Sequence, residues 1–202
     1  MKKIVILALT LIGSALSATA QAGDANAGQA LTAVCSACHG QDGNSLAGAF
    51  PNIAGQNEKY LLKQLRDIQS GARNVPTMAG QLDNLSDDDL ANIAAYYAGQ
   101  ARNRGVASAD QVELGESIYR AGIPRKGVAA CTACHSPTGS GNGPAGFPAL
   151  AGQWPEYTVG QLKAFQAGDR HNDGDSQMMR TTSMDLNEKE MKAVASYLYG
   201  LH

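Results

Sequence analysis

Apolar residues recur at helical spacing along much of the chain. Between residues 57 and 70 they fall three or four positions apart, and Gly71 follows as a stop signal. These positions are Tyr60, Leu61, Leu65 and Ile68. An Ala-rich helical segment at 24–33 leads into the first Cys motif, and a helical segment at 111–120 leads into the second. No run of alternating β-branched residues is long enough to indicate a strand. The pattern predicts an all-α fold.

Capping signatures predict the starts of two further helices. Ser86 stands three residues before Asp89, and Asn187 stands three residues before Glu190. Each pair precedes apolar residues at helical spacing. They are Leu90, Ile93, Ala94 and Tyr97 in one segment, and Met191, Val194, Ala195 and Leu198 in the other. We expect a helix to begin at each signature.

The chain contains an internal duplication. The pentad at Cys35 returns at Cys131, an offset of 96 residues. Further matches follow at offsets of 97 and then 101, so the insertions fall between segments. At offset 97 the matches include Phe50-Pro51 with Phe147-Pro148, Ala54-Gly55-Gln56 with Ala151-Gly152-Gln153, Gln69 with Gln166, and Arg73 with Arg170. Two copies of one domain in tandem are therefore predicted, at residues 23–105 and 106–202, with a polar linker at 100–110.

The first 22 residues have the marks of a secretory signal peptide. Lys2 and Lys3 precede an apolar run at residues 4–12, and small residues follow. Cleavage after Ala20 or Ala22 fits equally well, and the run is too short for a membrane anchor. Removal of Lys2 and Lys3 changes the formal net charge from −2 to −4, and the lack of a basic stripe argues against a nucleic-acid partner. We expect an exported chain, located in the periplasm.

All four cysteines of the chain lie in two Cys-x-x-Cys-His pentads. They are Cys35, Cys38, Cys131 and Cys134, followed by His39 and His135. This spacing is the attachment signature of haem c, in which two thioethers hold the porphyrin and the histidine binds the iron. The sequence therefore predicts two covalently bound haem c groups. Aromatic residues make up only 5% of the chain, and buried haem would offset that shortage.

Two other uses of the cysteines fit less well. A redox dithiol of the thioredoxin kind needs a βαβ setting, which the pattern does not offer. A single zinc site would have to join cysteines of two different repeats, with 92 residues between Cys38 and Cys131.

The duplication also favours a sixth iron ligand in each copy. Met78 lies eight residues before Ser86, and Met179 lies eight residues before Asn187. Met178 and the loop histidine His171 remain alternatives in the second copy. The carbonyls of Pro51 and Pro148, 12 and 13 residues after the histidines, are candidates to accept their second ring N–H.

These motifs together resemble the cytochrome c4 family, the periplasmic dihaem class I cytochromes c. The resemblance covers the mature chain and includes the Tyr-x-x-x-Gln-Leu helices, the loop at 172–175 and the end at 197–202. It implies two class I cytochrome c domains related by a pseudo-twofold axis, with the haem propionates near the interface. It also implies His/Met ligation of both irons, at His39 and Met78 and at His135 and Met179.

The expected function is that of a single-electron carrier rather than an enzyme. Two six-coordinate irons leave no position for a small-molecule substrate, and a soft thioether ligand favours a high potential. The resemblance suggests a quinol-oxidising complex and a terminal oxidase as partners, with any approach to the membrane surface made through them. A dihaem peroxidase or thiosulfate-oxidising cytochrome is the main alternative. A cytochrome subunit of a membrane complex is another.

Overall fold

The computed structural model describes residues 23–202, so the predicted signal peptide at 1–22 lies outside the described residues. The helices are α1 (Ala25–Leu31), α2 (Ala33–His39), α3 (Glu58–Gln69), α4 (Asp87–Ala98), α5 (Val112–Ala121), α6 (Thr132–His135), α7 (Pro155–Ala167), α8 (Met178–Ser183) and α9 (Glu188–Gly200). Short 3₁₀ helices lie at Pro76–Met78 and Pro124–Lys126. Among residues 23–202 the β-type pairing consists of two isolated bridges, and no strand is formed. The all-α prediction is therefore confirmed.

The helix boundaries follow from local side-chain chemistry. Both predicted capping boxes are present: the side chain of Ser86 accepts from the N–H of Asp89, and that of Asn187 accepts from the N–H of Glu190. Asp24 caps α1 by accepting from two backbone N–H groups. Each cap satisfies donors that the first turn of a helix leaves open.

The first and last helices of each repeat cross at a glycine. Gly28 on α1 faces the backbone of Asn92 on α4, and Gly115 on α5 faces Ala193 on α9. A Cβ at either position would lie within 2.2 Å of a backbone oxygen of the facing helix. Only glycine allows this approach, which brings the α1–α4 and α5–α9 pairs together in the same way.

The two repeats are not built identically. In the second, α5 does not run directly into the Cys pentad as the sequence suggested. Residues 122–130 intervene and turn back on themselves, with Ile123 and Val128 exchanging backbone hydrogen bonds. This insertion adds buried apolar side chains to the second domain.

The two domains contact each other through paired polar side chains. The Arg73 guanidinium donates to the Tyr157 hydroxyl and to Gln161 of the second domain. The Arg170 guanidinium donates to Tyr60 and Gln64 of the first. Since Arg73 and Arg170 are repeat equivalents, these reciprocal bonds relate the domains by a pseudo-twofold axis.

Candidate functional site

The two pentads occupy equivalent places at the end of a short helix. Helix α2 carries Cys35 and Cys38 and ends at His39, while α6 ends at His135. None of the four cysteines forms a disulfide, so all four are available for thioether bonds. Burial raises the pKa of the Cys35 thiol, and that of Cys131 to about 11. A raised pKa is the opposite of the lowered pKa that activates the thiolate of a redox dithiol.

Each pentad histidine is held in one tautomer. Nδ1 of His39 lies 2.9 Å from the Pro51 carbonyl oxygen, and Nδ1 of His135 lies 2.9 Å from that of Pro148. A carbonyl oxygen only accepts, so Nδ1 carries the proton and Nε2 keeps its lone pair. Both predicted hydrogen bonds are present.

Burial also keeps these histidines neutral. Their side chains are buried, and desolvation lowers the pKa of both rings, although the proline carbonyl partly opposes it. A neutral imidazole with a free Nε2 is the form that binds iron.

The methionines differ in their surroundings. Met78 ends the 3₁₀ helix Pro76–Met78, and Met179 lies in the first turn of α8, both half-buried. Met178 is 42% exposed, whereas Met191 is 1% exposed within the core. The rival His171 is exposed. Burial thus separates Met179 from its neighbour.

Two glutamines anchor the methionine segments. Nε2 of Gln69 donates to the carbonyls of Leu82 and Leu85, close to the start of α4. Nε2 of its repeat equivalent, Gln166, donates to the carbonyl of the last residue of α8, Ser183, and to two carbonyls that follow the helix. Both glutamines were identified as repeated residues, but their carbonyl partners could not be predicted from the sequence.

An ion pair holds the second methionine segment only. The Asp173 carboxylate accepts from the backbone N–H and the Nε of Arg180, the residue after Met179. Burial would raise the pKa of this carboxyl, but the bonds from Arg180 outweigh it and hold the pKa below its usual range. Gln177, which immediately precedes α8, adopts a left-handed φ of 49°. The loop at 172–175 was noted in the sequence, but the pairing of Asp173 with Arg180 was not predicted from it.

The residues around each pentad fit a large apolar ring. Partly buried apolar side chains pack against the two buried clusters together with Cys35 in the first domain and Cys131 in the second, and they are available to contact such a group. They are Leu31, Ile53, Leu62, Leu65 and Leu85 in the first domain, and Leu114, Leu150, Val159 and Leu162 in the second. Among the described residues the Tyr97 hydroxyl, fully buried, has no hydrogen-bond partner. Such an orphaned donor beside the Cys35 cluster is consistent with a group that occupies the space.

No helix among residues 23–202 is both long enough and apolar enough to cross a membrane.

Comparison with known proteins matches a separate family model to each half of the chain. The family model "Cytochrome c" matches residues 112–202, and the model "Cytochrome C oxidase, cbb3-type, subunit III" matches residues 23–96. Cytochrome c4 of Pseudomonas aeruginosa is 50% identical over the full length of both chains. A thiosulfate dehydrogenase electron acceptor of Stutzerimonas stutzeri is 35% identical over 81% of this chain and 76% of its own.

A solved structure agrees with the fold as well. The crystal structure of reduced recombinant cytochrome c4 from Pseudomonas stutzeri superimposes with a TM-score of 0.88 at 49% identity, covering 90% of this chain and all of that one. The chain belongs to the cytochrome c4 family of electron-transfer proteins, and its two cytochrome c domains carry two covalently bound haem c groups.

Proposed function

We propose that this protein is a periplasmic carrier of single electrons in which both irons have histidine and methionine ligands. Cys35 and Cys38 hold one haem through thioethers, and Cys131 and Cys134 hold the other. His39 and Met78 ligate the first iron, and His135 and Met179 the second. The observation that carries this proposal is the repeated pair of neutral histidines, each with Nδ1 engaged by a proline carbonyl.

The chain's own residues hold each site rigid. When bound, the haems supply reversible one-electron chemistry. The proline carbonyls fix the histidine rings, and the glutamine anchors fix the methionine segments. A site that keeps both protein ligands in place rearranges little when its charge changes, and it leaves no open position for a substrate.

Methionine ligation can be tested with adjacent variants. We expect Met179→Ala to remove half of the weak far-red absorption that reports methionine bound to oxidised iron, and to let the reduced protein bind carbon monoxide. Met78→Ala should remove the other half. Met178→Ala and His171→Asn are the matched controls and should leave both properties unchanged. Carbon monoxide binding by the unaltered reduced protein would overturn the carrier assignment.

The partners are proposed from family likeness. We place the carrier between a quinol-oxidising complex and a terminal oxidase. A relative named as the electron acceptor of thiosulfate dehydrogenase indicates a second class of donor. Mixing the oxidised protein with each purified donor and following haem reduction by stopped-flow absorption distinguishes them. A rate that does not rise with the concentration of the quinol-oxidising complex would exclude that donor.

A further inference from the structure

Two glutamines cross the domain interface in a reciprocal arrangement. Nε2 of Gln153 donates to the Asn52 carbonyl at 2.8 Å, and its Oε1 accepts from the Asn52 N–H at 2.9 Å. Nε2 of Gln56 donates to the Ala149 carbonyl at 2.8 Å, and its Oε1 accepts from the Ala149 N–H at 2.7 Å. Gln56 and Gln153 are repeat equivalents, so each domain supplies one such clamp to the other.

The clamped N–H group belongs to the peptide that orients the histidine. The Asn52 N–H and the Pro51 carbonyl are the two ends of one peptide unit, and that carbonyl accepts from His39 Nδ1. Thus a continuous chain of hydrogen bonds runs from His39 through one peptide to Gln153 of the other domain.

The second domain repeats this chain in the opposite direction. The Ala149 N–H and the Pro148 carbonyl form one peptide unit, which links Gln56 of the first domain to His135. Each glutamine is held in position within its own domain, because Oε1 of Gln56 also accepts from the Asn57 N–H and Oε1 of Gln153 from the Trp154 N–H.

A peptide unit is conjugated, so a hydrogen bond at its N–H increases the negative charge on its carbonyl oxygen. A stronger carbonyl acceptor draws the Nδ1 proton of the histidine and makes Nε2 a better electron donor. Stronger donation to the iron stabilises its oxidised form and lowers the reduction potential.

We propose that Gln153 and Gln56 are positioning residues for the opposite domain: each sets the reduction potential of the other domain's haem through one peptide unit. Docking of the domains is therefore part of the tuning of both irons. This inference rests on the proposed ligation by His39 and His135.

The test uses the haem-loaded full chain with Gln153→Met or Gln56→Met, changes that keep side-chain length and remove the acceptor. The ambient potential is fixed near the midpoint of the first domain's haem. Gln153→Met should then raise the reduced-to-oxidised ratio of that haem by roughly threefold. This effect is smaller than the roughly 10- to 100-fold effect of losing a direct hydrogen-bond partner of a ligating histidine. Gln56→Met should do the same for the second haem alone.

Proton NMR of ¹⁵N-histidine-labelled protein identifies the affected domain. The paramagnetically shifted ring signal of His39 should move in Gln153→Met, and that of His135 in Gln56→Met. Gln153→Glu keeps an acceptor and strengthens it, so it should move the His39 signal in the opposite direction. Tyr60→Phe, which removes a cross-domain bond to Arg170 instead, is the interface control and should move neither signal.

The possible results separate the two claims. If neither histidine shows a paramagnetic shift in the unaltered protein, the proposed ligation fails. Suppose that both histidines are shifted, but that Gln153→Met and Gln56→Met each affect the haem of their own domain, both haems equally, or neither haem. In that case the ligation stands and the cross-domain tuning is overturned. A shift of the same sign in Gln153→Met and Gln153→Glu would indicate only loosened packing.

Discussion

The first and second domains share most of their helices and the same types of candidate ligand, but they differ in how much protein fills their interiors. A buried apolar cluster of eleven residues forms the second core, whereas the corresponding cluster in the first has four. Fully buried Tyr119 on α5 belongs to the larger cluster, and the insertion at 122–130 contributes Ile123 and Val128 to it. The first domain therefore relies more heavily on its haem as a core component.

The largest effect is expected from emptying the same core position in each domain. Leu90 on α4 and Met191 on α9 are repeat equivalents with exposed fractions of 0% and 1%. Alanine at either position should cost about 2–5 kcal/mol of unfolding free energy. Because the first core is smaller, Leu90→Ala should lower the earlier of two unfolding transitions, and Met191→Ala the later one.

Denaturant unfolding followed by far-ultraviolet circular dichroism and by haem absorption measures both transitions. If Met191→Ala lowers the earlier transition and Leu90→Ala the later, the order of domain stability given above is wrong.

A smaller effect is expected at the ion pair that distinguishes the two methionine segments. Asp173→Asn should weaken the attachment of α8 by about 1–2 kcal/mol, since it replaces a charged acceptor that is mostly buried. Met179 should then leave the iron at a lower temperature. The far-red absorption, recorded on heating, should lose its second-domain half first, while the Met78 half is unchanged.

The pH dependence of this effect has a definite sign. The folded-state pKa of Asp173 lies below its ordinary value of 3.8, so its stabilisation is present above that pH and is lost as the pH falls through the folded-state pKa. Acid titration should therefore weaken Met179 ligation in the unaltered protein, and Asp173→Asn should remove this acid-dependent step. Identical titrations for both proteins would contradict the role given to the pair.

The smallest effect is expected where the domains match. Arg66 pairs with Asp87, and their repeat equivalents Lys163 and Glu188 pair likewise; all four side chains are exposed. Exposed ion pairs contribute little, so Arg66→Gln and Lys163→Gln should leave both unfolding midpoints unchanged at low and high salt. A salt-dependent fall in the unfolding midpoint of one domain alone would contradict this expectation, because it would show that the exposed ion pair stabilises that domain.

Local signals in the sequence predicted much of this structure. The capping residues Ser86 and Asn187 placed the starts of α4 and α9, because a cap acts within one helical turn. The partnership of each histidine with a proline carbonyl also followed from spacing within one loop. Helix α8 and the insertion at 122–130 were missed because they fall where the two repeats differ.

The interface could not be predicted at all from local signals. Gln56 and Gln153 stood out as repeated residues, but their backbone partners lie 93 and 101 positions away. An amide side chain that binds a distant peptide leaves no periodic pattern in the sequence. The same holds for Arg73 and Arg170, whose cross-domain partners are neutral hydroxyl and amide groups.

The short connection between the domains makes their association independent of protein concentration. Residues 101–107 have no regular structure, and the side chain of Arg102 and the backbone of Asn103 contact the first domain. Such a tether makes docking intramolecular, with an effective concentration on the order of millimolar. The glutamine and arginine hydrogen bonds between the domains then act within one chain, so dilution does not separate the domains. Each chain thus delivers its two haems as a fixed pair, whatever the protein concentration.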